Sequence, residues 1–362
     1  MKQKKKHIVV WHVALVSQLL FLVSCSIMQD DRSNCPECRN PLHIILRYDY
    51  NTARANMFSD HVQQATVYVV DAKSGVVVDQ MTAQNTATSQ PLREPSFGFN
   101  FEGLTPGHYR LYATGRSASD QAFGITTPDN GETMSELQFT VPADAEGHVP
   151  AQHLDTLWNT LQPVEVEVPE REATQATIGL MRLTNDLNIM VFRRDTPADN
   201  SHEHYDVRVV DQHQILGYDN EPVVDKTLVY YPFAAWTTET SVDEGSPIDT
   251  GSGTIAERNA HYDLSLSRLV SHDDARRNTR LIITNRSDGH EVVNIDLCYY
   301  LALARTAYEI HHYSIQEYLD REYDYRLDFG FERKDDGHDT WKYMTIHINV
   351  LSWALRIQNE EL

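Results

Sequence analysis

The sequence lacks the residues and motifs by which catalytic sites are usually recognised. It has only four cysteines, no Gly-x-Ser-x-Gly nucleophile elbow and no glycine-rich loop that would cradle a phosphate. It has 52 acidic residues, but nothing nominates a pair of them as the carboxylates of a glycosidase. The sequence therefore predicts no enzyme, no catalytic residue and no cofactor.

Positive charge is also scarce. Lys and Arg number 31 against 52 Asp and Glu, which gives a formal net charge of -21. So acidic a surface argues against a nucleic-acid partner and against binding to anionic lipid through a basic patch. With 41% hydrophobic and 9% aromatic residues, the composition is typical of a globular protein.

One apolar run, at the N-terminus, stops at Cys25. It follows a group of lysines and is interrupted by His12, Ser17 and Gln18, so it is too short and too polar for a membrane span and has the form of a secretory signal. The segment Leu22-Val23-Ser24-Cys25 resembles the bacterial lipobox, which predicts a signal peptide over residues 1–24. An ordinary secretory signal with a chance cysteine is the alternative.

The lipobox resemblance implies that lipid, such as palmitate, is attached to Cys25. More than one acyl chain would hold the protein stably to a membrane. Ser26 after the cysteine resembles outer-membrane sorting, and Asp30 and Asp31 resemble the acidic stretch that some lineages use for surface export. The sequence thus predicts an outer-membrane lipoprotein exposed at the cell surface, with residues 25–40 as its linker.

Three further cysteines need an explanation. Cys35-Pro36-Glu37-Cys38 is formally a CxxC motif, but it lies in a polar linker rather than at a helix N-terminus, and two further soft ligands for zinc are missing. Cys35 and Cys38 are candidates for a disulfide in an oxidising compartment, and the sequence leaves their pairing with each other or with Cys298 open. Cys298 lies in the apolar segment 294–303, which we interpret as a buried strand.

From residue 40 onward, apolar and polar residues mostly alternate, as in β-strands. Two hairpins are predicted, over 65–81 around Lys73-Ser74-Gly75 and over 280–297 around Ser287-Asp288-Gly289. Helix is scarce, and the best candidate is 314–322, where Ser314 and Glu317 have capping-box spacing. Segment 153–161 could be a short helix or a sheet edge, and segment 343–359 a bulged strand or two strands.

Pro, Glu and Ala accumulate between residues 141 and 173, which predicts a domain boundary there. We therefore expect an all-β protein with an N-terminal sandwich over 41–165 and a C-terminal sandwich over 166–362. No metal site is expected, because His202 and His204 lack a third ligand. The acids at 335–339 lack the distal glutamate of a calcium loop, which favours a solvated hairpin turn.

Several stretches together resemble the FimB-type anchor subunits of type V fimbriae. The most specific are "RYDYN" at 47–51 and "QEYLDRE" at 316–322, and "GLTPGHYRLYATG" at 103–115 is similar to a strand and turn of transthyretin-like sandwiches. The resemblance covers nearly the whole chain after Cys25. It implies two transthyretin-like domains, a lipid anchor in the outer membrane, and a role in holding the fimbrial base and limiting shaft length.

The resemblance also implies a fimbrial shaft subunit as partner, bound by β-strand complementation, because an unpaired sheet edge is a template for another strand. The sequence ends soon after the strand expected around Trp353, so we expect this subunit to receive a strand and not to donate one. Which domain holds the groove is left open. The alternative is a surface lipoprotein that binds glycan or host, with Trp236, Tyr230 and Tyr231 as its stacking platform, although the sequence favours core packing for these three residues.

Overall fold

The structure, a computed structural model, describes residues 41–117, 123–242, 255–348 and 353–358. Strand accounts for 50% of the chain and helix for 12%, which confirms the all-β prediction. Cys25, Cys35 and Cys38 lie outside the described residues, so signal cleavage, lipid attachment and the disulfide stay predictions.

Twenty strands are described, and we number them in chain order. The first ten are β1 (Leu42–Arg47), β2 (Gln64–Asp71), β3 (Val77–Gln84), β4 (Phe99–Phe101), β5 (Gly107–Arg116), β6 (Gly124–Thr126), β7 (Gln138–Thr140), β8 (Leu157–Thr160), β9 (Val164–Val168) and β10 (Thr174–Arg182). The other ten are β11 (Thr184–Arg193), β12 (Tyr205–Gly217), β13 (Pro222–Tyr230), β14 (Ala234–Val242), β15 (Ile255–Ser267), β16 (Arg280–Asn285), β17 (Glu291–Asp296), β18 (Asp324–Arg333), β19 (Asp339–Ile348) and β20 (Trp353–Gln358). The described α-helices are α1 (Phe58–His61), α2 (Leu297–Ala302), α3 (Ala307–His312) and α4 (Ile315–Arg321).

The first sheet has the strand order β3-β2-β5-β8-β10-β1-β4, and β9 also pairs with β5. β1 runs parallel to β10 and antiparallel to β4. Strands from opposite ends of this order share one core, in which Leu46 and Phe101 pack with Val69 and Leu111. The sheet therefore folds over upon itself to form the first sandwich.

Two further sheets form a second sandwich. Their orders are β14-β15-β11-β18-β19-β20 and β17-β16-β12-β7-β6, and β13 pairs with β12. Inward side chains of both, such as Leu187, Leu264 and Val209, share a core, and Tyr68 and Tyr112 of the first sheet belong to it as well. The hydrophobic core of the second sandwich therefore continues onto the first sheet.

Strand pairing crosses the expected boundary at residues 165 and 166 in both directions. β10 follows it in sequence and yet lies in the first sheet. β6 and β7 precede it and yet lie in the same sheet as β12, where β7 pairs with β12 and β6 with β7. The division into 41–165 and 166–362 stays a prediction, and the chain interleaves the two sandwiches at this point.

The two hairpins predicted from their turn residues are confirmed. β2 pairs with β3 and β16 with β17, and Gly75 and Gly289 both have φ of +74°, a conformation that glycine adopts without steric cost. Segment 153–161 contains the strand β8, and segment 343–359 contains the antiparallel strands β19 and β20. Asp335 and Asp336 lie exposed at the hairpin turn between β18 and β19, as expected, whereas Asp339 begins β19 and is buried.

The predicted helix exists as α4, and the Ser314 side chain accepts a hydrogen bond from the Glu317 backbone N–H at 3.0 Å. The strand predicted around Cys298 is wrong, because this residue lies in α2. Asp296 caps that helix by accepting a bond from the Tyr299 backbone N–H. The buried residues at 297, 298, 301 and 302 then follow helical rather than strand spacing.

Candidate functional site

The edge of β1 is only partly covered. β4 pairs with Leu42, His43 and Ile44, whereas β1 continues to Arg47. β10 covers the opposite side of β1 along its whole length. Within the described ranges, residues 45–47 therefore have no strand beside them on the β4 side. Backbone groups on such an edge can pair with a strand of another chain.

A groove of about 180 Å³, lined by both apolar and polar residues, lies beside this open edge. Its walls are contributed by β1, by α1, by β4 and by the segment between β3 and β4, with Ile45, Leu46, Phe58, Leu92, Phe97 and Phe99 as its apolar side chains. A strand added to β1 would gain backbone hydrogen bonds along the edge and a side-chain pocket in the groove. These are the two sources of affinity and specificity in β-augmentation.

Other strands also have an open side among the described pairings: β3, β4, β6, β14, β17 and β20 end a sheet, and β9 and β13 each pair with one strand. An edge alone supplies backbone hydrogen bonds, and the groove beside β1 adds contacts for side chains. For this reason we take the edge of β1 from Ile45 to Arg47, together with its groove, as the candidate site and call it the β1 groove.

The loop that follows β1 is fixed by the two sequence stretches that carried the resemblance. The guanidinium of Arg321 lies between two rings, with its Cζ 4.0 Å from the centroid of Tyr50 and 4.5 Å from that of Tyr313. Thr52 donates its backbone N–H to the carbonyl of Arg321 at 3.2 Å and its hydroxyl to Glu322 at 3.2 Å. "RYDYN" and "QEYLDRE", about 270 residues apart, are thus one contact surface.

Asn51 holds the same loop from within. Its side-chain amide donates to the carbonyls of Tyr48 at 3.0 Å and Ala55 at 2.8 Å, and the residue is fully buried. Asn56, which lines the β1 groove, accepts a bond from the Tyr48 backbone N–H at 2.9 Å. The contact between the two motifs therefore sets the position of the open end of β1.

His202 and His204, the histidines singled out in the sequence, lie in a short 3₁₀ turn. The His202 ring bonds the hydroxyl of Thr237 at 2.8 Å. In the described part of the chain, no group of three or more His, Cys, Asp or Glu residues is arranged to hold a metal.

Cys298 is buried, and burial raises the pKa of its thiol to about 12. A thiol held in its protonated form is a poor nucleophile. Cys298 is buried as the sequence indicated, although it lies in a helix and not in a strand.

The three aromatic residues considered as a stacking platform do not form one surface. Tyr230 is buried, and Tyr231 packs against His148 with ring centroids 5.9 Å apart. Trp236 is exposed and stacks flat on His261, with centroids 5.1 Å apart and an interplanar angle of 8°. In the described ranges, no helix is long and apolar enough to cross a membrane.

The fold defines this chain as an all-β protein built of β-sandwiches. The family model of the fimbrillin-A associated anchor proteins Mfa1 and Mfa2 matches residues 32–359. The chain therefore belongs to this family, whose role is structural and lies with other fimbrial subunits at the cell surface. Among curated proteins, no relative matches the chain.

Solved structures share the fold. A candidate adhesin from Bacteroides thetaiotaomicron has a TM-score of 0.70 at 22% identity, over 88% of this chain and 99% of that one. A structure of candidate polysaccharide-binding proteins from the same organism has a TM-score of 0.67 at 23% identity, over 88% and 98%. The fimbrial anchor protein Mfa2 from Porphyromonas gingivalis has a TM-score of 0.61 at 14% identity, over 88% and 99%. At these identities, the likeness concerns the fold alone.

Proposed function

We propose that this protein is an outer-membrane lipoprotein that anchors the base of a fimbria and limits its length, with no catalytic role. Membership in the anchor family supports the fimbrial role. The observation that carries the mechanism is the open edge of β1 above a groove that contains several apolar side chains. A shaft subunit would add a strand to residues 45–47 and place a side chain among Phe58, Leu92 and Phe97.

Lipid on Cys25 would connect this complex to the membrane. The replacement Cys25→Ala, followed in fractionated cells, should release the protein from the membrane and give fimbriae that are long or shed. If the protein is released and the fimbriae keep their length and attachment, the anchoring role is refuted. If the protein stays in the membrane fraction, lipid attachment at Cys25 is refuted.

The β1 groove can be tested without touching the anchor. Ser59 lines the groove, whereas the adjacent Asp60 of α1 is exposed and does not. The replacement Ser59→Phe should fill the groove and reduce the amount of shaft subunit that co-purifies with the protein. Asp60→Phe is the matched control and should leave that amount unchanged. Equal recovery with both variants would place the docking site elsewhere.

A further inference from the structure

A larger, polar cavity of about 490 Å³ lies at one end of the second sandwich. Arg193, Asn285 and Arg333, the last residues of β11, β16 and β18, line it together with Tyr205, the first residue of β12. Loops at the end of a β-sandwich are a common place for binding sites, because they can vary on a rigid frame. The volume falls in the range of small-molecule sites.

The floor of the cavity is an ion-pair network that the protein itself satisfies. Arg193 donates to both carboxylate oxygens of Asp339, at 2.9 and 3.1 Å, and to both of Asp195, at 2.8 and 3.1 Å. Its remaining N–H points to the hydroxyl of Tyr205 at 3.5 Å. The side chain of Asp339 is completely buried and also accepts a bond from Asn285 at 2.7 Å.

Asp195 of this floor stays ionised near neutral pH. Burial opposes its ionisation, but the hydrogen bonds and charge of Arg193, together with the backbone N–H groups of Arg333 and Thr196, outweigh burial and lower the pKa of Asp195 to about 2. All five donors of Arg193 are engaged within the protein. The floor is therefore a fixed support and has few groups left for a ligand.

The rim, in contrast, carries polar groups with unused hydrogen-bonding capacity. The side chains of Arg286 and Arg333 are 58% and 55% exposed, and their ion pairs are long, at 3.9 Å to Asp206 and 3.4 Å to Asp339. Asp199 and Glu203, on the loop between β11 and β12, are exposed. The carboxylates of these two residues make no ion pair with any other residue that the structure describes. His204 and Ser287 complete the rim.

The charges of the rim select the class of ligand. Two carboxylates and two guanidinium groups give no net charge, so an anion would meet Asp199 and Glu203, and a cation would meet Arg286 and Arg333. An apolar ligand would have to desolvate all four. A molecule with many hydroxyl groups can donate to the carboxylates and accept from the guanidinium groups at the same time. We propose that this cavity binds a short neutral saccharide.

Binding is measured on the purified protein by ligand-detected NMR and calorimetry, with lactose, maltose and N,N′-diacetylchitobiose as neutral probes. We expect at least one of them to bind. The double variant Asp199→Asn/Glu203→Gln keeps the size of both side chains and should weaken that binding roughly tenfold or more, as expected when charged acceptors are lost. The double variant Asp273→Asn/Glu136→Gln changes two exposed acids outside the cavity and should leave binding unchanged.

Sialyllactose distinguishes a neutral from an anionic site. The rim predicts that sialyllactose binds no better than lactose, and tighter binding of sialyllactose would overturn the proposal. The proposal also fails if none of the neutral probes binds, or if the two double variants weaken binding equally. None of these measurements involves fimbriae, so the proposed saccharide site and the proposed anchor function are tested independently.

Discussion

At the scale of single residues, Arg321 joins the two motifs that carried the resemblance. It stacks on Tyr50 and Tyr313 and also pairs with Glu317 at 2.9 Å. A guanidinium over aromatic rings contributes about 0.5–2 kcal/mol, depending on its desolvation. The contact between Arg321 and Tyr50 could not be predicted from a local sequence pattern, because the two residues lie far apart along the chain.

We predict that Arg321→Ala lowers the free energy of unfolding by about 1–3 kcal/mol, measured by urea denaturation. Arg321→Lys should give an intermediate loss, because it keeps the charge and loses the planar stacking surface. Arg276, whose side chain is 88% exposed and pairs with Asp274, is the matched control, and Arg276→Ala should change stability by less than about 0.5 kcal/mol. Equal losses for Arg321→Ala and Arg276→Ala would contradict the stacking role.

Glu322, next to Arg321, is a buried carboxyl. One of its oxygens accepts backbone N–H bonds from Tyr323 at 2.9 Å and Asp324 at 3.2 Å, and the other accepts from Thr52. Burial raises the pKa of Glu322 above its ordinary value of 4.5, although these hydrogen bonds oppose the change. The folded state thus holds the proton more tightly than the unfolded state.

This raised pKa predicts a pH dependence. Its contribution to stability is complete below pH 4.5 and is lost as the pH rises through the higher pKa of the folded state. Glu322→Gln keeps the size and most hydrogen bonds but cannot ionise. The stability of the variant relative to the natural protein should therefore increase between about pH 4 and pH 7. A constant difference over this range, measured by urea denaturation, would contradict the prediction.

At the scale of elements, two glycines allow the cost of a left-handed backbone to be compared with the cost of close packing. Gly147 has φ of +92°, and the strand-like segment after it bonds to β13 through Val229. A Cβ atom on Gly147 would lie 2.1 Å from the carbonyl oxygen of Thr227. Gly131 has φ of +97°, but a Cβ atom there would meet nothing within 4 Å.

We therefore expect Gly131→Ala to cost about 1–2 kcal/mol, for its left-handed conformation alone. Gly147→Ala should cost more, about 3 kcal/mol or above, because the added methyl group must also displace β13. Thermal and urea denaturation of both variants test this order. If both variants lose the same free energy of unfolding, the close approach of the backbone at Gly147 does not contribute to the cost.

The sequence predicted those elements whose determinants are local. Glycines in the turns and alternating side chains specified the β2–β3 and β16–β17 hairpins, and the cap at Ser314 specified α4. The helix α2 was missed because its short apolar run follows a strand directly, although Asp296 as a cap and the helical spacing of its buried residues were signals for it. The parallel pairing of β1 with β10 joins residues far apart in the chain, and no local pattern encodes it.

The same limit applies to the sites. The resemblance implied that a strand-accepting edge exists. The sequence could not locate it, because four separate segments of the chain form the β1 groove. The polar cavity was not foreseen, since Arg193, Asn285, Arg333 and Asp339 have no distinctive spacing. Their chemistry emerges only where strand ends from two sheets converge.

At the scale of the whole molecule, buried polar contacts tie the two sandwiches together. Asn159 of β8 donates to the carbonyl of Tyr218 at 2.9 Å and to Asn220 at 2.8 Å, and Asn220 donates back to the carbonyl of Thr160 at 2.9 Å. Tyr112 packs edge-on against Tyr218, with ring centroids 5.9 Å apart. Separating the two sandwiches would expose all of these groups.

We predict that the protein unfolds in one cooperative transition, despite its two sandwiches. Tryptophan fluorescence and far-ultraviolet circular dichroism should give the same midpoint in urea, because the shared core and the Asn159–Asn220 contact couple both parts. Two resolved transitions would show that the sandwiches are independent. Asn220→Ala should lower the midpoint, since it leaves buried partners unpaired.

The parallel arrangement of β1 and β10 determines how the molecule resists mechanical tension. Residues before position 41 continue from the N-terminal end of β1, so a pull on them enters the fold at Leu42. When the pull runs along the strand axis, the six residue pairs from Leu42 and Thr174 to Arg47 and Gly179 bear it together, in shear. They would break one by one only if the strand were peeled away sideways. Under such a pull β1 is held in shear by β10, and the open end beside the β1 groove lies at the other end of the strand from Leu42.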